Sequence, residues 1–530
     1  MQLRVSLTIS GAVSLGAYEG GALAAVLVAA RELAARREPL LRVDVMAGAS
    51  AGSITSLLAA RTLLQGHDPV QVMHGAWVES DSLGDLLAHG ARSPLSVEAL
   101  RAMGQSLLDP AEGRTSPQRQ SQPVQLSYTL ACLRGLEYAL PRLGRDPVQA
   151  STYVDFFEHR LAPDDPITSL TEPAGSAPLD AALASAANAM GFAPQFLDRG
   201  QVWADYLAEG VRPDSLPSSH GFWYTDGGTL ANEPLGRTLD LTNALDSEPP
   251  AGDWQRLHLL IHPHPAAAPK DDSWAQPGVP PSFVQTAVRA FALQRTQSVF
   301  GDLKTVEKTN SRLAWLDIVS REVGNAIEGL SPDAQRALRA ALTRASGQMA
   351  SGRDRLKAHL PDTSSAVTES SAGAATAAEQ QPGLRELLDS VLHDAAGLSG
   401  KRPALVEVLS PLVLPAVKDH AVEEMLSGEV LFHFGGFLDK DMRESDFDLG
   451  YATVTAWIEQ GGLRTAGLDD ASSQTALSAV KAAHRPADGW TRTGSTTVGS
   501  LLRMHPWETA KLAGKITEVL LHDTWRHPRP

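Results

Sequence analysis

The sequence predicts an α/β protein in which a parallel sheet covered by helices carries a helical insertion and is followed by a mainly helical C-terminal domain. Three observations carry this. Strand and helix patterns alternate over about the first 65 residues, the order that builds a parallel sheet. The same alternation returns between residues 178 and 262. Beyond about residue 268, apolar residues recur at helical spacing, as in Leu338, Ala341, Leu342 and Ala345.

Residues 3–9 (LRVSLTI) are rich in β-branched side chains and end at Ser10-Gly11, a strand entering a turn. Residues 17–36, rich in Ala and Leu, read as a helix. Residues 42–47 (RVDVMA) form a second short strand before Gly48, and a helix starts at Ala51. Residues 68–175 break the pattern with polar segments bearing Pro and Gly, and read as an insertion with helices around 95–108 and 126–143. The small-residue stretch 178–190 reads as a helix, and 222–228 and 256–262 as strands. Helices are expected over 283–330, 332–358, 383–395 and 403–427. Residues 361–382, rich in Ser, Thr and Ala and without aromatics, read as a linker. The expected division is 1–268 and 269–530.

The chain has 530 residues, with 46 Lys and Arg against 61 Asp and Glu, a formal charge of −15. This acidic balance argues against a nucleic-acid binder, which needs clustered cations for phosphate. With 43% hydrophobic and 20% charged residues, the composition is that of a folded globular protein. A single cysteine, Cys132, excludes an internal disulfide framework and a Cys-rich zinc site, and its apolar neighbours mark it as a buried thiol. The N-terminal pattern meets glycines before a signal-peptide core develops. The apolar run 20–34 lies between Glu19 and Arg31 and is shorter than the ~20 residues a spanning helix needs. A soluble, cytoplasmic protein is expected.

Gly48-Ala49-Ser50-Ala51-Gly52 follows a predicted strand and opens a predicted helix. In that context G-x-S-x-G is a nucleophile elbow, and otherwise a tight turn. The elbow would hold Ser50 in strained backbone at a helix N-terminus, where N–H groups favour developing negative charge. Gly11 and Ala12, after the first strand, could supply oxyanion donors, or form a plain strand–helix loop. Asp226, before Gly227 and Gly228, lies at a strand end; it reads as a base for Ser50, if desolvation raises its pKa from ~3.9, or as an Asp-Gly turn. His262 and His264 stay open as the histidine of a triad or as part of a metal pair without a third ligand.

Four segments in order resemble the patatin-like phospholipases: Gly11–Gly16 with Ala17-Tyr18, the elbow Gly48–Gly52, Ala184–Ala187 with Phe192–Phe196, and Asp226-Gly227-Gly228 with Asn232 and Pro234. They span about residues 3–265. The resemblance implies a three-layer α/β/α hydrolase core and a Ser–Asp dyad without histidine, metal or cofactor. By position, Ser50 is the nucleophile and Asp226 its base, which leaves His262 and His264 structural. The oxyanion loop departs from the family's Asp-Gly-Gly-Gly-x-Arg-Gly: here it reads Ser10-Gly11-Ala12-Val13-Ser14-Leu15-Gly16, with Leu15 at the Arg position. This version looks like a bacterial branch of the family with a long C-terminal extension. Phe432–Asp439, followed by Arg443, Asp446, Gly450 and Trp457, is similar to that extension.

The resemblance thus implies a lipid acyl hydrolase of phospholipase A type, with an oxyanion hole from Gly11, Ala12 and Ala51. Each absent donor would lower the rate by about 10²–10³. A soluble carboxylesterase or acyltransferase with the same dyad, and a degenerate hydrolase acting as a scaffold, are the alternatives. The expected partners are a phospholipid or other lipid ester, a peripheral membrane contact, and a regulatory partner or ligand for the C-terminal part; Trp490, Trp507 and Trp525 near amphipathic stretches read as core anchors first and as interfacial residues second.

Overall fold

The structure, a computed structural model, describes residues 2–34, 40–80, 86–87, 93–108, 118–142, 145–246, 253–264, 283–357, 383–399, 401–415, 425–429, 435–486 and 506–526. The expected linker 361–382, Trp490 and Phe432–Phe434 lie outside these residues.

In chain order the elements that matter here are β1 (Gln2–Ile9), α1 (Gly16–Ala34), β2 (Leu41–Gly48), α2 (Ala51–Gln65), α3 (Val97–Leu108), β3 (Val124–Arg142) and β4 (Arg145–Leu161). They continue with α4 (Pro178–Ser185), β5 (Gln195–Asp198), β6 (Gly221–Asp226), α5 (Leu235–Leu245) and β7 (Trp254–Ile261). The remainder is α6 (Phe283–Glu328), α7 (Pro332–Lys357), α8 (Leu384–Ala395), β8 (Leu405–Leu409), α9 (Lys440–Glu459), α10 (Asp470–Ala483) and α11 (Pro506–Arg526).

One sheet runs in the order β5-β6-β3-β2-β1-β7-β8, with β4 paired to β3. Its centre, β3-β2-β1-β7-β8, is parallel; β4 and β6 pair antiparallel with β3, and β5 pairs antiparallel with β6. Both faces of β1 are buried, as a covered parallel strand requires. Leu3, Val5, Leu7 and Ile9 join the apolar core shared with α1. The alternate residues are buried but polar, and each has a partner. Thr8 bonds Thr238 of α5 at 2.7 Å, and Ser6 bonds His258 Nδ1 at 2.6 Å. Arg4 donates to Asp246 at 3.0 Å, beside Arg256, which reaches both Asp44 and Asp246. These two arginines and two aspartates tie the starts of β1, β2 and β7 to the end of α5.

Three expectations need correction. Of the segment 126–143, read as a helix, residues 126–142 belong to strand β3: it pairs with β2 and β4, and Leu126 through Cys132 are buried on both faces of the sheet. Among the described residues the insertion is thus largely the β3–β4 pair, with helices at Pro69–His74 and α3 before it and a short one at Thr168–Thr171 after it. Residues 403–427, also read as a helix, contain β8, which pairs in parallel with β7, and a 3-10 turn at Pro411–Val413. Two β-branched valines and the prolines Pro411 and Pro415 explain the difference. The division at 268/269 cuts through a shared structure, since β8 extends the sheet and Phe447, Tyr451 and Val454 of α9 belong to the same core as α1.

Segment Val13–Ala34 is apolar enough to cross a bilayer, longer than the run read from the sequence, and its most apolar stretch of 18 residues is entirely buried in the fold. Helix α9 covers it so closely that a side chain at Gly21 would collide with the Phe447 carbonyl, and one at Gly450 with that of Tyr18.

Burial lowers the His258 pKa from 6.5 to about 3, with Arg256 adding to the shift. Between those values the unfolded chain binds a proton that the folded chain refuses. Stability is full above pH 6.5 and falls as the pH drops, by up to about 1.4 kcal/mol per unit from this residue. Urea denaturation at pH 7 and pH 5 should show the loss, and His258→Asn should flatten the dependence.

Candidate active site

The elbow is built by two close approaches. Strand β2 ends at Gly48 and α2 starts at Ala51, leaving Ser50 at φ 52° and ψ −123°. This is left-handed backbone that a serine holds only under constraint, at a cost of roughly 1–3 kcal/mol. A Cβ at Gly52 would lie 2.5 Å from the Ile9 carbonyl oxygen, so β1 and the first turn of α2 meet only because that position is glycine. Ser50 is 3% exposed, and its side chain does not cap α2.

The end of α4 and the turn that follows it support both expected dyad members. Ser185 Oγ accepts the Ser50 N–H at 2.9 Å and the Ser53 hydroxyl at 2.8 Å. Two residues on, the Ala187 carbonyl accepts the Asp226 N–H at 3.0 Å, and Asn188 Nδ2 donates to Asp226 Oδ2 at 2.9 Å. Asp226 Oδ1 accepts the Gly228 N–H at 2.8 Å, across the turn formed with Gly227. The Asp226 carboxylate is buried with both oxygens held, at the end of β6 opposite Leu130 of β3. Ser185 lies in a segment the sequence marks, but its role depends on a hydrogen bond across 135 positions. Asn188 has no sequence signal beyond the neighbouring run of small residues.

The loop after β1 differs from expectation. The Gly11 N–H donates to the Asn232 carbonyl at 3.1 Å, so Gly11 is committed there rather than to an oxyanion. Its glycine identity has another cause: a side chain would collide with Asn232 Oδ1 and stand 3.0 Å from Ser50 Cβ. The N–H groups of Ala12 and Ala51 have no hydrogen-bond partner among the described residues. Val13, where the family pattern has glycine, sits at φ 55°. Ser10, at the family's Asp position, donates to the buried Glu19 at 3.0 Å. Leu15 is fully buried.

His262 Nε2 lies 2.9 Å from Glu233 Oε1, which also accepts from Asn232. The pair thus borders the loop through Asn232. No group of three or more His, Cys, Asp or Glu among the described residues is arranged to hold a metal ion. Cys132 is buried, which raises its thiol pKa.

A serine on a strand–turn–helix elbow at the end of a central parallel strand, with a buried aspartate held by the turn that follows the helix supporting the serine, places the candidate site in an α/β fold. The family model of patatin-like phospholipases matches residues 7–239, and over this stretch the chain is similar to that family. That match supports lipid acyl hydrolysis in general. No curated protein matches the sequence. Among solved structures the chain is similar to VipD from Legionella pneumophila, at 10% identity over 93% of this chain and 94% of that one; the TM-score of 0.18 is too low to bear on the fold.

Ser185→Ala removes the acceptor from the Ser50 N–H and the Ser53 hydroxyl, both buried. A stability loss of about 1–3 kcal/mol is expected by denaturant titration. Covalent labelling of Ser50 by a fluorophosphonate should slow at least tenfold in the same variant.

Proposed function

We propose that the protein is a phospholipase A-type lipid acyl hydrolase that works through a Ser50–Asp226 dyad. The observation that carries the reading is the support of the two residues by the end of α4 and the turn after it: Ser185 holds the Ser50 backbone, while Ala187 and Asn188 hold Asp226.

In this mechanism Asp226 takes the Ser50 Oγ proton as the oxygen attacks an ester carbonyl. The tetrahedral oxyanion is met by the Ala12 and Ala51 N–H groups, at the positive end of α2. Collapse breaks the bond to the alcohol or lysolipid, which leaves with the proton from Asp226. A water then gives its proton to Asp226 and attacks the acyl-enzyme. Free fatty acid departs, and Ser50 recovers its proton. Committing Gly11 to Asn232 leaves two donors, which fits a slow enzyme better than an inert one.

A row of apolar side chains supports a peripheral membrane contact. Phe196 of β5 pairs with Trp223 of β6, Leu133 follows the Cys132–Tyr224 pair, and Tyr153 stands beside the bulge in the β3–β4 register. They are 39, 53, 53 and 52% exposed, respectively. Trp223 is three residues from Asp226 along β6, about 10 Å. Aromatic side chains with a polar tip suit a lipid interface. Trp507 of α11 is also exposed. The reading carries with it a cytoplasmic enzyme that visits a membrane surface.

The test is fluorophosphonate labelling of wild type, Ser50→Ala and Asp226→Asn, with fatty-acid release from phosphatidylcholine vesicles. Labelling and release are expected in wild type and should fall at least 10³-fold in both variants, folding intact by circular dichroism. Labelling that survives Asp226→Asn would overturn the dyad. Turnover of soluble short-chain esters with none of vesicles would favour the carboxylesterase alternative. Trp223→Ser should reduce flotation with the same vesicles several-fold.

A further inference from the structure

We propose that Asp446 is a positioning residue for hydrolysis: together with Arg443 it makes the region before and within α9 a buttress that holds the oxyanion loop in its working shape. The proposal rests on the hydrolase reading of that loop.

The loop needs an external hold. Val13 is β-branched and stands at φ 55°, a conformation that relaxes unless the surroundings fix it. Its neighbour Ala12 offers one of the two N–H groups assigned to the oxyanion, so relaxation of Val13 would re-aim that donor. The residues next to Val13 are gripped by the C-terminal part of the chain. Ser14 is buried, and its Oγ accepts the Gly436 N–H at 3.1 Å. Leu15 packs on Gly428, where a side chain would meet its Cδ2 at 3.1 Å.

Both gripping points are in turn fixed by α9. The Asp446 carboxylate accepts the Ser427 N–H at 2.7 Å and the Gly428 N–H at 2.9 Å. Arg443 donates to the Gly436 carbonyl at 2.7 Å, and to the Val78 carbonyl at 3.1 and 2.9 Å. These two charged residues, Asp446 and Arg443, stand about one helical turn apart and are 0% and 3% exposed. They make charge-assisted bonds in a water-poor setting, where such bonds are strong and stiff. Helix α9 itself lies on α1, which starts at Gly16, directly after the loop. The strained loop is thus clamped between the helix it leads into and the segment held by Asp446 and Arg443.

The experiment uses the full chain and a soluble p-nitrophenyl ester. Asp446→Asn should lower kcat about 10²-fold, the size of one lost oxyanion donor, with KM changed less than threefold. Hydrogen exchange across residues 10–18 should rise in the same variant. Adding Val13→Gly, which relieves the strain the buttress works against, should restore kcat at least tenfold. Ser14→Ala removes only the bond from Gly436, and should show a smaller kcat loss and the same rescue if Asp446→Asn fails to fold.

Unchanged exchange across the loop in both variants overturns the proposal, and so does a kcat loss that Val13→Gly leaves untouched. A folded wild-type protein without esterase activity would overturn the hydrolase reading instead. Exchange in the variants would then still decide whether Asp446 holds the loop.

Discussion

Two non-glycine residues in left-handed backbone, Val13 at φ 55° and Ser50 at φ 52°, occupy the turns that leave the neighbouring parallel strands β1 and β2. Each costs free energy that its own turn cannot recover, so the fold must supply the restraint from outside. For Ser50 the restraint comes from within the family domain: Gly52 lets α2 press against β1, and Ser185 takes the Ser50 N–H. For Val13 it comes from the far end of the chain, through Ser14, Gly428, Gly436 and the charged pair on α9. The candidate site therefore draws on two layers of support, one local and one contributed from 422 positions away.

The same dependence explains why the C-terminal part is not a detachable helical domain. Helix α1 is apolar on nearly all sides, and a helix of that kind must be covered on all sides. The sheet and α2 cover only part of it. Helices α9 and α10, with the short helix Pro69–His74 and Trp77 after it, close the remainder, and the contact of Gly21 with Phe447 and of Gly450 with Tyr18 brings the backbones of α1 and α9 together. Strand β8 completes the arrangement by satisfying the outer edge of β7, which would otherwise present unpaired N–H and C=O groups.

The strand–turn–helix units at the start of the chain are legible in the sequence because each signal is local: β-branched runs, glycines at the turns, Ala-rich helices. Ser50 and Asp226 can be singled out for the same reason. The β3 segment is illegible because Leu126 through Cys132 are buried on both faces, which leaves no alternation to read, and its Ala, Leu and Arg residues also suit a helix; only pairing with β2 and β4 decides between the two. Strand β8 hides for a similar reason, its five residues being too short to outweigh the helical pattern around them. The role of Ser185, the commitment of Gly11 to Asn232 and the clamp on Ser14 are all contacts between distant positions, and a single sequence carries no trace of such pairings.

The most informative departure from the family pattern is Leu15. In the pattern this position is an arginine, a side chain that needs water or a carboxylate for its charge. Here the position is fully buried against Gly428, whose N–H is already held by the carboxylate of Asp446. An arginine placed there would have to displace that backbone bond or bury its charge against a glycine. A leucine fills the space and adds apolar burial, so loss of the arginine follows from the way the C-terminal segment is seated. Replacing Ala12 and Val13 by the family's glycines would relax the loop, yet the clamp makes such glycines dispensable. The altered loop is thus what a patatin-like domain requires once its own C-terminal segment has taken over the support of the oxyanion loop, and it does not by itself mark a decayed site.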